Sequence, residues 1–165
     1  MTSGRRCQPR RYYLHFRRGF PARSGAPPQL ILHKPVVQSS ELKPPPFTAH
    51  RSASNCIDGR RHIACRTNQQ KDPWLSIAVS DVGVSVDTVQ IYNRNEARYM
   101  PLLSRHQIWV GTSFGQYGPP AQLCADWTAP PSMGPFDYDC NGMLGTHVTV
   151  LLPGADRELI LDEVS

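Results

Sequence analysis

Apolar and polar residues alternate with a period of two along most of the second half of this chain. Leu75, Ile77 and Val79 alternate with Ser76, Ala78 and Ser80. Val89 and Ile91 alternate with Thr88 and Gln90, and Ile108 and Val110 with Gln107 and Trp109. Val148, Val150 and Leu152 alternate with His147, Thr149 and Leu151, and Leu159 and Leu161 begin a last short run. Such runs, cut by Gly, Pro, Asp and Ser turns, predict strands with one buried face. No segment of ten or more residues keeps a helical period. The prediction is an all-β fold, a sandwich or a barrel. Two segments read as long surface connections: Pro119-Pro120, and the stretch from Gly134-Pro135 to Asp139.

Composition agrees. Proline supplies 16 of the 165 residues, which disfavours helix interiors and central strands. The formal charge of +5 is unevenly placed. Arg5, Arg6, Arg10, Arg11, Arg17, Arg18, Arg23 and Lys34 carry eight positive charges with no acid among residues 1–34. Subtracting those eight from 18 leaves ten basic against 13 acidic groups in residues 35–165, a net of −3. The body has no basic excess to attract phosphates, so nucleic acid is not an expected partner. Residues 1–34 read as a disordered basic arm, a transit peptide or sequence upstream of the true start. Residues 35–165 read as the folded domain, led in by Pro44-Pro45-Pro46 as an extended segment. No apolar run is long enough for a transmembrane helix, and no signal peptide is visible.

Five cysteines are present: Cys7, Cys56, Cys65, Cys124 and Cys140. Four in a compact β body suggest disulfides and an oxidising compartment. A Cys124–Cys140 bridge would close a loop of about 16 residues. Cys56 and Cys65 pair locally, remain buried thiols, or join His62 as zinc ligands, although C-x5-H-x2-C lacks a fourth ligand. Gly111-Thr112-Ser113-Phe114-Gly115 matches a nucleophile elbow, yet Gly118-Pro119-Pro120 follows where a helix is needed, so the reading is a turn. No catalytic set stands out, and no enzyme is expected. His106 and His147 lie in predicted strands and read as structural.

Two polar loops carry the candidate chemistry. Ser54-Asn55-Cys56-Ile57-Asp58-Gly59 reads as an Asx turn with Gly59 at positive φ. Asn55, Asp58 and Glu163 are hard oxygen donors of the kind Ca²⁺ takes. Ile91-Tyr92-Asn93-Arg94-Asn95-Glu96 leads into a loop with Arg94, Glu96 and Arg98. A guanidinium fork oriented by a carboxylate donates well to vicinal hydroxyls, and an ordinary solvated loop has the same composition.

In order along residues 35–165, several pieces form an ordered set. They are Lys34-Pro35-Val36-Val37-Gln38-Ser39-Ser40, Ser54-Asn55-Cys56-Ile57-Asp58-Gly59, Cys65-Arg66-Thr67, Asp72-Pro73-Trp74 and Val89-Gln90-Ile91-Tyr92-Asn93-Arg94. Ile108-Trp109-Val110-Gly111, Gly145-Thr146-His147-Val148 and Leu159-Ile160-Leu161-Asp162-Glu163-Val164 complete it. With these the chain resembles the fucolectin-like (F-type lectin) group of the discoidin, or coagulation-factor C-terminal, superfamily. The resemblance implies a jelly-roll sandwich of about eight main strands with the galactose-binding topology, a structural calcium near one end and a shallow sugar pocket beside it. Carried over by position, Asn55, Asp58 and Glu163 match calcium ligands, with Arg60 and Ala64 as backbone-carbonyl donors. Arg94 matches the first arginine of the fucose-binding motif, Glu96 stands in place of its aspartate, and Arg66 stands near the place of its histidine. The motif's second arginine would fall near Pro101 or Leu102 and is absent unless Arg98 or Arg105 substitutes from another register. The family's cysteine at the position of Asp162 is missing, so the resemblance removes the customary partner of Cys65 and offers Cys56 as a replacement. The implied function is glycan binding at or outside the cell surface, with an oligomer or a multidomain parent for multivalency. The rival expectation is an adhesion module that binds protein or phospholipid through an apolar spike at Tyr99, Met100, Leu102 and Leu103, or a structural domain without a site.

Overall fold

The alternating runs become nine strands in a computed structural model that describes residues 31–43 and 51–165. They are β1 (Val36–Gln38), β2 (Cys65–Arg66), β3 (Trp74–Ala78), β4 (Val84–Asn93), β5 (Arg105–Gly111), β6 (Gln122–Thr128), β7 (Phe136–Gly145), β8 (His147–Leu151) and β9 (Ile160–Val164). All pairings are antiparallel, in one sheet ordered β1-β3-β8-β5-β6 and another ordered β2-β9-β4-β7. The sheets pack as an all-β sandwich. Leu75, Ile77, Ile108, Val110, Val148 and Val150 on the first meet Val89, Ile91, Tyr138 and Leu161 on the second in one buried cluster. Burial of these branched side chains is the main favourable term for the fold. Residues 1–30 and 44–50, with Cys7 and the Pro44-Pro45-Pro46 segment, lie outside the described residues.

Three local features depart from the sequence expectation. The stretch from Phe136 to Asp139 is no surface connection but the start of the ten-residue strand β7. Phe136, Tyr138 and Cys140 are buried while Asp137, Asp139 and Asn141 are exposed, so the period was present but written in residues that disfavour strands. The edge strand β6 was not anticipated either, because its Gln122–Thr128 segment buries little. Finally, Ile31 packs against the core, so the folded body begins before Pro35.

The Gly111–Gly115 motif is a turn. Gly115 has φ +67, and a Cβ there would come within 2.5 Å of the Trp74 indole. No helix follows Ser113. Buried His106 is structural: its Nδ1 faces the Ser104 carbonyl at 2.9 Å and must donate, leaving Nε2 to accept from the Tyr138 hydroxyl at 2.6 Å.

Cys124 in β6 and Cys140 in β7 form a disulfide that joins the edge strands of the two sheets, at a sequence separation of 16. A double Cys124→Ser, Cys140→Ser variant is expected to lose about 3 kcal/mol of stability from this loop length. Urea unfolding of variant and parent checks it, and equal midpoints would refute the clamp.

Candidate functional site

One rim of the sandwich collects the end of β4, the start of β9, strand β2 and two loops, residues 51–64 and 94–104. The key local feature is in β9. Against β4, Glu163 pairs with Tyr92 and Leu161 pairs with Asn93, so Asp162 is the extra residue of a β-bulge. A bulge re-aims the side chain it carries. Here it delivers the Asp162 carboxylate to Arg94, with Nη1 donating to Oδ1 at 2.8 Å and the Asn95 N–H donating to Oδ2 at 3.2 Å.

Arg94 is engaged on both edges of its guanidinium. Its Nε donates to Glu96 Oε1 at 2.9 Å, Nη2 donates to the same oxygen, and Nη1 also reaches the His62 carbonyl at 3.4 Å. Burial works against the Arg94 charge, but the bonds to Asp162 and Glu96 outweigh it and raise its affinity for the proton. The bond from Arg94 holds the Glu96 carboxyl below its ordinary value. Beneath this pair, Asn93 is buried and its amide donates to the carbonyls of Met100 at 3.0 Å and Ser132 at 2.9 Å. That fixes the 94–104 loop to the rim.

The cluster continues through Tyr99. The Arg98 and Arg66 guanidinium carbons lie 4.3 and 5.0 Å from its ring centroid. Arg66 also donates to Tyr99 Oη at 3.4 Å and forms an ion pair with Glu158. Arg98 Nε is 3.5 Å from Glu96 Oε2. The four residues singled out in the sequence, Arg94, Glu96, Arg98 and Arg66, therefore form one contiguous group. Arg105 does not join it and pairs instead with Asp126. Sequence reasoning missed the contributions of Asp162, Glu158 and the Tyr99 ring. One signal was available for Asp162: two acids lie between Leu161 and Val164 in a strand that buries every residue, and buried charges need partners.

Beside this cluster lies the Asx loop. Asp58 Oδ1 accepts from the Arg60 N–H at 2.8 Å, and Gly59 has φ +75, as the turn requires. The Gly59 N–H donates to Glu163 Oε1 at 3.2 Å, which places the far end of β9 against this turn. The Asn55 amide donates to the Ala64 carbonyl at 3.4 Å. Glu163 is 5% exposed, and its Oε2 is buried with no hydrogen-bond partner among the described residues. Burial, with the Asp58 charge adding to it, pushes the Glu163 carboxyl up to about 7. An orphaned carboxylate oxygen close enough to Asp58 to feel its charge offers hard oxygen donors of the kind a divalent cation takes, although no cluster of three or more His, Cys, Asp or Glu side chains gathers there among the described residues.

Cys56 and Cys65 are joined in the expected disulfide, so neither thiolate is free for the zinc alternative with His62. One other expectation fails. The apolar spike does not exist: Leu103 is 1% exposed and belongs to the core, and Tyr99, Met100 and Leu102 are half-buried.

No protein-family model matches the chain, and no curated protein matches it in sequence. Solved structures do match. A fucolectin (f-lectin) from striped bass, Morone saxatilis, serum is similar with 25% identity over 83% of this chain and 47% of that chain, at a TM-score of 0.72. A Streptococcus pneumoniae fucose-binding module matches with 24% identity over 82% of this chain and 94% of that chain, at a TM-score of 0.64. A Clostridium perfringens module in complex with GalNAc-β-1,3-galactose shares only 12% identity over 79% of this chain and 91% of that chain, also at a TM-score of 0.64. This chain spans about half the length of the striped bass lectin. With its two antiparallel sheets and these structural neighbours, the chain has the galactose-binding-like fold of the F-type lectins.

Proposed function

We propose that this chain is a non-enzymatic, lectin-type carbohydrate-binding module with a structural calcium site, working at or outside the cell surface. The observation that carries the proposal is the contiguous rim of Arg94, Glu96, Arg98, Arg66 and Tyr99, set on a fold whose solved neighbours include fucose-binding modules. Guanidinium forks held by carboxylates present oriented donors to ring hydroxyls, and the Tyr99 ring offers an apolar face. The two disulfides suit an oxidising environment. The rival reading, an adhesion module for protein or phospholipid, loses Leu103 from its apolar tip, because that side chain is buried.

Calcium would be held by Asp58 and Glu163 with carbonyl or amide oxygens of Asn55, Arg60 and Ala64. Bound there, it supplies positive charge that compensates the two carboxylates and orders the loop beneath the rim. The sign of its effect follows from Glu163. Without a cation, the folded state keeps the Glu163 proton up to about 7, whereas the ordinary carboxyl loses it near 4.5. The folded state therefore binds more protons across that window, and stability falls as pH rises from about 4.5 to about 7. In chelator, the melting temperature of the parent is expected to fall over this range, and Glu163→Gln to remove the fall. At pH about 7.5, Ca²⁺ at 100 times its Kd is expected to add about 2.7 kcal/mol to the parent and little to the variant. Melting curves indifferent to chelator and calcium would refute the cation site.

The sugar site needs a careful variant. Arg94→Ala alone leaves Asp162 buried without its partner, at a cost of about 3 kcal/mol or more, and confuses binding with folding. The double variant Arg94→Gln, Asp162→Asn removes both charges together. It is expected to keep a cooperative melt and to lose glycan-array signal. Retained glycan binding would move the site elsewhere, and a parent that binds no glycan would mark a structural domain without a site.

A further inference from the structure

We infer that the glycan recognised at this rim carries an anionic group, a carboxylate or a sulfate ester, and that Arg98 and Arg51 receive it. The inference rests on the carbohydrate-binding reading above and specifies its ligand.

Four of the five N–H groups of Arg94 already have acceptors, Asp162 and the His62 carbonyl on Nη1 and Glu96 on Nε and Nη2, which leaves a single Nη2 N–H for a ring hydroxyl. Arg66 is tied at Nε to Glu158 and at Nη1 to the Tyr99 hydroxyl. Of the four arginines around Glu96 and Glu158, two keep both Nη groups without an acceptor among the described residues. Arg98 has a side chain 72% exposed, its single polar contact is the 3.5 Å approach of Nε to Glu96, and neither of its Nη groups has an acceptor among the described residues. Arg51 holds the Arg66 N–H through its own carbonyl at 3.1 Å, and its positive charge acts on Glu96, yet its guanidinium has no acceptor among the described residues.

Charge bookkeeping points the same way. Arg51, Arg66, Arg94 and Arg98 face Glu96, Glu158 and Asp162, which leaves one positive charge in excess. This excess arises in a body whose net charge over residues 35–165 is −3, so it is local to the rim. The planar fork of an unengaged guanidinium suits a carboxylate or sulfate oxygen pair, which also closes the imbalance. Packing of the Arg98 guanidinium over the Tyr99 ring restrains the fork in advance of binding.

The test is calorimetry or surface binding with the full chain in Ca²⁺. The probes are a short sulfated oligosaccharide and a short uronate-containing oligosaccharide, each beside its desulfated or carboxyl-reduced counterpart. At least one anionic probe is expected to bind about tenfold or more tighter than its neutral counterpart, the worth of one charge-assisted hydrogen bond. The sulfate and carboxylate arms show which group is preferred. Binding should weaken as salt rises from about 50 to about 500 mM. It should fall about tenfold in a double Arg98→Gln, Arg51→Gln variant that melts like the parent. It should not change when Arg5, Arg6, Arg10 and Arg11 become Gln, which excludes capture of polyanions by the basic N-terminal stretch. Equal affinity for neutral and anionic probes overturns the inference and leaves the lectin reading standing. Loss of binding in the N-terminal variant alone overturns it as well. No binding to any probe or array glycan overturns both.

Discussion

A buried carboxylate must find a cation, and in this protein that need organises one whole rim. Asp162 sits in a strand that is buried along its entire length, where an unpaired charge would be costly. The bulge in β9 turns it toward Arg94. Arg94 in turn bonds Glu96 and the His62 carbonyl, so one residue draws the 94–104 loop and the 51–64 loop to the same place. The pair need not add net stability over an apolar replacement. What it supplies is position: the loop that carries Arg98 and Tyr99 has one arrangement that satisfies Asp162.

Consecutive acids on β9 thereby serve different neighbours. Asp162 is neutralised within the chain, by an arginine. Glu163 receives the Gly59 N–H on one oxygen and, among the described residues, nothing on the other, with Asp58 close enough to oppose its ionisation. The same local chemistry, a carboxylate out of water, is thus resolved by protein at one residue and left open at the next. This contrast is the basis for proposing a structural cation at the second position.

Much of the fold was legible in the chain. Strands β3, β4, β5, β8 and β9 follow period-two runs of Leu, Ile and Val, which both fit a pleated sheet and fill its inner face. Strand β7 was hidden because its outward positions are Asp137, Asp139 and Asn141, residues that mark turns when read alone. Its inward positions, Phe136, Tyr138 and Cys140, keep the strand period. Of the site, the Asx turn at Asp58 and the arginines of the 94–104 loop could be read from local composition. The role of Asp162 could not, because it depends on a one-residue slip in pairing between β4 and β9, and register is a property of two segments at once. The Tyr99 ring was misread for a related reason. Beside Met100 and Leu102 it looks like an exposed apolar tip, but Leu103 turns inward to the core and the ring becomes a platform for Arg66 and Arg98.

The Glu163 oxygen left without a partner among the described residues is the most direct point at which to look for a cation. Calorimetric titration of the full chain with Ca²⁺, repeated in buffers of different ionisation enthalpy, measures affinity and proton release together. One site per chain is expected, with release of part of a proton at pH about 6.5 that vanishes near pH 9 and in Glu163→Gln. Absence of binding heat, or binding with no proton released at the lower pH, would contradict it.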